Sequence, residues 1–85
     1  MKLRNHEHLT VAETEYGGVL LDARIGQYWQ LNPTATVVAR TLLDGGSEAD
    51  AVDGLTEAFD VDRERAAADV AALVDGLREA GLVAP

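Results

Sequence analysis

The step from strand to helix in this chain is encoded by one stretch, Tyr28-Trp29-Gln30-Leu31-Asn32-Pro33-Thr34-Ala35. An apolar, strand-like run stops at Asn32, whose side chain can accept hydrogen bonds from the unpaired backbone N–H groups of a helix start. Pro33 suits the first helical position because its missing N–H would have no partner there. Further on, Gly45 can adopt the left-handed conformation that ends a helix. The stretch therefore predicts a strand, a short junction and a helix over residues 33–43.

Upstream of this junction, the sequence predicts two further strands. Short apolar runs at residues 9–12 and 18–23 precede the run at residues 27–31, and glycine-containing turns separate the three. Strands that are adjacent in sequence and joined by short loops usually pair with each other. We therefore expect a small three-stranded antiparallel meander.

Downstream, the apolar spacing changes to the three-to-four period of helices. Ser47 can cap a second helix that runs to about residue 59, with Asp50 placed to complete a variant of the capping box. Asp62 can cap a third and longest helix, which Gly81 ends. The residues expected to face inward are Val37, Val38 and Leu42 in the first helix, Val52, Leu55, Ala58 and Phe59 in the second, and Ala66, Val70, Leu73 and Leu77 with Val74 beside them in the third.

The predicted fold is α+β, with one domain over residues 1–85 in which a three-stranded antiparallel sheet is followed by three helices. Gly54 is expected to permit a close helix crossing, and Leu82 and Val83 are expected to fold back as an apolar tail. A chain this short buries only about 60 to 65% of the surface that its unfolded form exposes. Its core is therefore thin, with little room for a deep active site.

Composition indicates a cytoplasmic protein. No apolar run approaches the roughly 20 residues that span a bilayer, and residues 1–8 lack the apolar stretch and cleavage site of a secretory signal. The chain has no cysteine and hence no disulfide framework.

The net charge of -8 lies entirely in the second half of the chain. Residues 1–43 hold four acidic and four basic residues, whereas residues 44–85 hold eleven and three. A field of that sign repels phosphate backbones and attracts cationic partners, although acidic helices also simply keep a small protein soluble. A winged-helix nucleic-acid-binding or regulatory domain, which is the alternative function, would need basic residues on its recognition helix. The second helix has none, and the third has three arginines among five acidic residues counting its cap.

Catalytic and metal-binding candidates are few, so we expect neither an enzyme nor a cofactor. Ser47, the only serine, is explained by its capping position, and it lacks the Asp-Ser-Leu-like setting of a phosphopantetheine carrier. His6 and His8 could share a metal with Glu7 or Glu13, but a stable site needs three or four ligands on rigid elements. A surface histidine pair near a terminus is the simpler interpretation.

The third strand is the candidate for peptide recognition. As an edge strand it would offer unpaired backbone groups to a second chain. Trp29 shares one strand face with Gln27 and Leu31, while Tyr28 shares the other with Gln30. The competing interpretation is that Trp29 and Leu31 are ordinary core residues and Tyr28 is a half-exposed strand residue.

These residues also carry a family resemblance. The motifs are Gly18-Val19-Leu20-Leu21-Asp22, the stretch from Tyr28 to Ala35, Leu43-Asp44-Gly45-Gly46, and the run from Leu73 to Val83. Together they resemble the PqqD-like recognition elements of pathways that modify ribosomally made peptides. Within that family, the chain is similar to the stand-alone recognition proteins of actinobacterial-type lasso peptide clusters. The resemblance covers residues 9–83.

The resemblance implies a winged helix-turn-helix-like fold and a non-enzymatic function. In the family, the leader segment of a precursor peptide adds a strand to the third strand and lies in the cleft between that strand and the third helix. The implied partners are a leader peptidase of the transglutaminase-like cysteine protease class and an asparagine-synthetase-like cyclase. Carried onto this chain, the implied peptide-binding residues are Gln27, Tyr28, Trp29, Gln30, Leu31, Asp69, Val70, Leu73, Val74 and Leu77.

Overall fold

The computed structural model describes residues 8–82, which form three strands followed by three helices. The strands pair antiparallel in the order β1-β2-β3. The bounds of the elements are β1 Leu9–Thr14, β2 Gly17–Asp22, β3 Gln27–Leu31, α1 Pro33–Leu43, α2 Glu48–Ala58 and α3 Arg63–Glu79. The predicted α+β fold is confirmed.

The first hairpin is longer than the sequence predicted. β1 continues through Glu13 and Thr14, which pair with Gly18 and Gly17 of β2. Both β1 residues are exposed, so their side chains carry no burial pattern that would mark them as strand. β2 ends before Ala23, because the chain already turns there.

Capping interactions define the starts of the helices as predicted. Asn32 caps α1, and Asp62 caps α3 by accepting from Arg65 N at 2.7 Å. At α2, Ser47 and Asp50 form a reciprocal capping box. The lengths of these bonds are 3.1 Å from Asp50 N to Ser47 Oγ and 2.9 Å from Ser47 N to Asp50 Oδ2.

All three helices lie on one side of the sheet, and α1 is the central element. It packs on every strand and on both other helices, whereas α2 and α3 pack mainly on α1 and on each other. The buried hydrophobic core comprises Leu9, Leu20, Leu31, Val38, Ala39, Leu42, Ala51, Val52, Leu55, Ala66, Val70, Val74, Leu77 and Leu82. The opposite side of the sheet therefore has no covering layer among the described residues.

Several inward positions differ from the prediction. Ala58 is exposed because α2 ends there, and Ala51 is buried instead. In α1, Val37 is only partly buried, while the unpredicted Ala39 is part of the core. In α3, Val74 lies in the core and Leu73 is only partly buried, the reverse of the expected order.

Two glycines have different structural roles. A Cβ on Gly18 would lie 2.7 Å from Thr36 Oγ1, so glycine is what lets β2 approach α1 closely. A Cβ on Gly54 would lie 3.5 Å from Val37 Cγ1, which is an ordinary contact. The approach of α2 to α1 at Gly54 therefore does not require glycine, since alanine would fit.

The chain folds back after α3 as expected. Gly81 has a φ of 78°, and Leu82, which follows it, is buried and donates its N–H to Leu77 O at 2.9 Å. Val83, the second residue of the predicted tail, lies outside the described residues. Within residues 8–82, no helix has the length and apolar character required to cross a membrane.

Candidate functional site

β3 is an edge strand, and two of its residues direct their backbone groups away from the sheet. Hydrogen-bonded and non-hydrogen-bonded pairs alternate along an antiparallel ladder. The bond from Ala23 N to His8 O, 2.9 Å long, fixes the phase of that alternation. When the alternation is followed from β1 through β2 to β3, Trp29 is hydrogen-bonded to β2. The N–H and C=O groups of Tyr28 and Gln30 then face outward. These groups are available to a further strand.

The side chains of β3 alternate between two environments. Leu31 is buried on the helical side of the sheet, and Trp29 is partly buried there against the core. Gln27 shares that face but is exposed at the start of the strand. Tyr28, which is 64% exposed, and Gln30 lie on the uncovered side. The predicted division of faces is confirmed, and Trp29 is the aromatic that faces the helices.

The first turn of α1 is held firmly beside the end of β3. Asn32 Oδ1 accepts from Ala35 N at 2.8 Å and from Thr34 Oγ1 at 2.9 Å. Thr36 Oγ1 in turn donates to Asn32 O at 2.8 Å. These bonds fix the angle at which the chain leaves the sheet, and therefore the position of α1 relative to the open edge.

A cleft of about 260 Å³ separates this first turn from α3. It is lined by Asn32, Thr34, Ala35, Val38, Asp69, Ala72 and Leu73. β3 and α3 have little direct contact, because α1 packs between them. The cleft therefore begins next to the residue that follows β3 and continues along α3.

The structure divides the five residues that the resemblance assigned to α3. Asp69 and Leu73 line the cleft. Val70, Val74 and Leu77 lie in the core, with exposures of 2%, 3% and 5%. A molecule in the cleft would thus meet Leu73 directly, with the three core residues supporting the helix from behind.

Asp69 places a charge at the rim of the cleft. Its Oδ1 lies 3.5 Å from Arg65 Nε, one helical turn earlier, and its side chain is 35% exposed. A partly exposed pair of this kind contributes little to stability. Its effect is to give the apolar cleft a polar margin.

Five lining residues were not predicted, and most belong to the start of α1. Asn32, Thr34 and Ala35 form the helix-starting sequence, and that same sequence places them in the cleft. Ala72 could have been found from the helical spacing, since it lies three residues after Asp69. Val38 gave no signal other than that of a core residue.

A second, larger hollow of about 720 Å³ lies by the turn between β1 and β2. It is lined by Thr14, Tyr16, Gly18, Val19, Gln30, Leu31 and Asn32. Tyr16 is 82% exposed, so this hollow is an open surface at the end of the sheet. It shares Gln30 with the edge of β3 but no residue with α3. The cleft is the better candidate, because it begins at Asn32, directly after the open edge strand, and continues along α3.

The arginines of α3 are all engaged with neighbouring carboxylates. Arg63 Nη1 lies 2.7 Å from an oxygen of Asp53, and Arg78 Nη1 lies 3.6 Å from one of Asp75. Arg65 is paired with Asp69 as described above. α3 therefore has no surplus positive charge with which to contact nucleic acid. α2 has no basic residue at all.

The catalytic and metal-binding candidates from the sequence were Ser47 and a His/Glu cluster near the N-terminus. The Ser47 hydroxyl oxygen accepts the capping bond from Asp50 N, as expected for a structural serine. In the part of the chain from residue 8 to residue 82, no three His, Asp or Glu side chains are grouped to hold a metal ion. His6 and Glu7, named in the metal alternative, lie outside that part, and Glu13 lies 3.8 Å from Arg40.

Comparison with known proteins identifies the family to which the chain belongs. The family model of coenzyme PQQ synthesis protein D (PqqD) matches residues 17–83. No curated protein matches significantly.

Among solved structures, the chain is similar to lasso peptide synthetase B1 complexed with the leader peptide. The two are 49% identical, the match covers 99% of this chain and 96% of that chain, and the TM-score is 0.75. TbiB1 in complex with the TbiA(beta) leader peptide has the same fold, with a TM-score of 0.77 at 23% identity over 96% of this chain and 93% of that one. The resemblance predicted from the sequence is confirmed, and the chain belongs to the PqqD family.

Proposed function

We propose that this protein is a non-catalytic recognition protein of lasso peptide biosynthesis, and that it binds the leader segment of a ribosomal precursor peptide. The observation that carries the proposal is the open edge of β3 lying beside the cleft of α3. Family membership and the 49% identity to a synthetase B1 complexed with a leader peptide support it.

In the proposed complex, the leader adds a strand to β3. Its backbone pairs with the outward N–H and C=O groups of Tyr28 and Gln30, while its alternate side chains turn toward the helices. There they meet Trp29 and the cleft, where Leu73 provides the main apolar contact and Asp69 the polar rim. The remaining residues proposed for the site, Gln27, Leu31, Val70, Val74 and Leu77, flank or support these contacts.

The energetics suit a protein that must bind and then release its substrate. Ordering a flexible leader costs about 2 to 5 kcal/mol of the gross interaction. One or two apolar side chains buried in the cleft contribute about 1.5 to 3 kcal/mol each, and each edge hydrogen bond about 0.5 to 1.5 kcal/mol. At the favourable end of these ranges the net binding free energy reaches about -8 kcal/mol, which corresponds to a roughly micromolar dissociation constant.

The partners of the proposed function act on the bound peptide. The domain, over residues 1–85, would present the leader in the cytoplasm to a leader peptidase of the transglutaminase-like cysteine protease class. An asparagine-synthetase-like cyclase would then act on the remaining segment. The alternative of a nucleic-acid-binding winged helix is disfavoured by the paired arginines of α3.

Calorimetric titration tests the proposal directly. The leader peptide encoded beside this protein should bind saturably with one site, and a peptide of the same residues in scrambled order should not. Equal binding of both peptides, or of neither, would contradict leader recognition. A duplex DNA titration in the same buffer, with its salt dependence, checks the alternative.

A further inference from the structure

Among residues 8–82 the sheet has two edges, and each directs backbone groups away from the sheet, where a strand could be added. The same alternation that leaves Tyr28 and Gln30 open on β3 leaves Leu9, Val11 and Glu13 directed outward on β1. Strand addition depends mainly on backbone hydrogen bonds, which are alike at every edge. Something else must therefore decide which edge a peptide uses.

The two edges differ in what covers them. On β1, Arg40 of α1 extends its guanidinium across the middle of the strand. Arg40 Nη2 donates to Val11 O at 3.4 Å, and Arg40 Nε lies 3.8 Å from Glu13 Oε1. On β3, no side chain from residues 8–82 makes a hydrogen bond to the outward groups of Tyr28 or Gln30.

The β1 edge would otherwise be suitable for a peptide. A cavity of about 280 Å³ lies beside it, lined by Leu9, Thr10, Val11, Arg40, Leu43 and Asp44. Its lining is mostly polar, unlike that of the cleft of α3, but Val11 and Leu43 still place apolar side chains next to the strand. A strand entering here would have to displace the Arg40 guanidinium from Val11 O.

We propose that Arg40 guards the β1 edge and thereby directs an incoming peptide strand to β3. The inference rests on the proposed strand addition and concerns the choice of edge. Charged side chains on edge strands are a known means of blocking unwanted pairing. Arg40 does so from a neighbouring helix, and Glu13 of β1 is its exposed ion-pair partner.

The test is the number and location of peptide sites in an Arg40→Ala variant. NMR titration with the leader peptide should perturb amides of β3 and of the cleft in the wild type, and should leave the amides of β1 unchanged. In Arg40→Ala, a second peptide should bind at least tenfold more tightly than any second site of the wild type, with perturbations at the amides of Leu9, Val11 and Glu13. Arg40 is exposed, so the fold should persist, as circular dichroism would verify.

Two further variants separate the guard from general effects of charge. Arg78→Ala removes an exposed arginine at the far end of α3 and should leave a single site. Arg40→Lys keeps a cationic donor and should keep β1 largely closed. If Arg40→Ala still binds peptide at a single site on β3, Arg40 does not block the β1 edge, but the proposed function is unaffected. If the wild type does not bind the leader peptide, both the proposed function and the role of Arg40 are wrong.

Discussion

Leu73 is the largest apolar side chain that α3 contributes to the cleft, and its partial exposure distinguishes it from the buried residues behind it. The sequence alone did not make this distinction. Leu73 and Val74 are adjacent and both apolar, so the helical period places either one inward. Only the packing of α1 against α3 decides that Val74 enters the core while Leu73 remains at the surface.

Replacing Leu73 with Asp should strongly weaken leader binding. The substitution removes an apolar contact of about 1.5 to 3 kcal/mol and places a charge where the peptide would be buried. We expect the dissociation constant to rise at least tenfold, measured by fluorescence polarisation.

Ala71→Asp is the matched control for this substitution. It adds the same charge at an exposed position on another side of α3, and should bind normally. A folded Leu73→Asp variant with wild-type affinity would show that the cleft is not the site.

A proline at Gln30 should weaken binding without unfolding the domain. The outward N–H of Gln30 is a donor for the added strand, and proline removes it and adds a ring at the contact. Proline is tolerated on edge strands where the lost N–H does not face the sheet. We therefore expect weaker leader binding, by calorimetry, with a melting curve close to that of the wild type.

Gln30→Ala keeps the N–H and is the control for loss of the side chain. Its affinity should remain near that of the wild type. Marked destabilisation of the proline variant would mean that the N–H of Gln30 pairs with β2. The inward and outward backbone groups of β3 would then alternate in the opposite order.

At the scale of elements, the starts of the helices were the most predictable part of the fold. Capping depends on a few consecutive residues, such as Asn32 followed by Pro33, and the required chemistry is visible in the sequence. The ends of the strands were less predictable. Glu13 and Thr14 belong to β1 through backbone pairing alone, and their exposed side chains leave no pattern.

The cap of α1 should contribute measurably to stability. Asn32→Ala removes the acceptor of Ala35 N and Thr34 Oγ1, so we expect a loss of about 1 kcal/mol in the free energy of unfolding, measured by urea denaturation. Asn32→Ser keeps a capping oxygen and should recover most of the loss. An unchanged unfolding free energy in Asn32→Ala would refute the assigned role of this cap.

At the scale of the whole molecule, the candidate site results from how the elements are arranged around α1. This helix touches every strand and both other helices, so it separates α3 from β3, and the cleft lies between its first turn and α3. The cleft could be anticipated from the family resemblance. It could not be derived from the sequence pattern, because the distance between β3 and α3 depends on the packing of a third element.

The central claim is that a leader peptide becomes a fourth strand beside β3. NMR of the isotope-labelled domain bound to unlabelled leader tests it most directly, through hydrogen exchange of individual amides and contacts between the two chains. We expect the amides of Tyr28 and Gln30 to become protected on binding and to show cross-strand contacts to the peptide, with further contacts at Leu73. Protection that appears elsewhere, with the Tyr28 and Gln30 amides still exchanging freely, would contradict it.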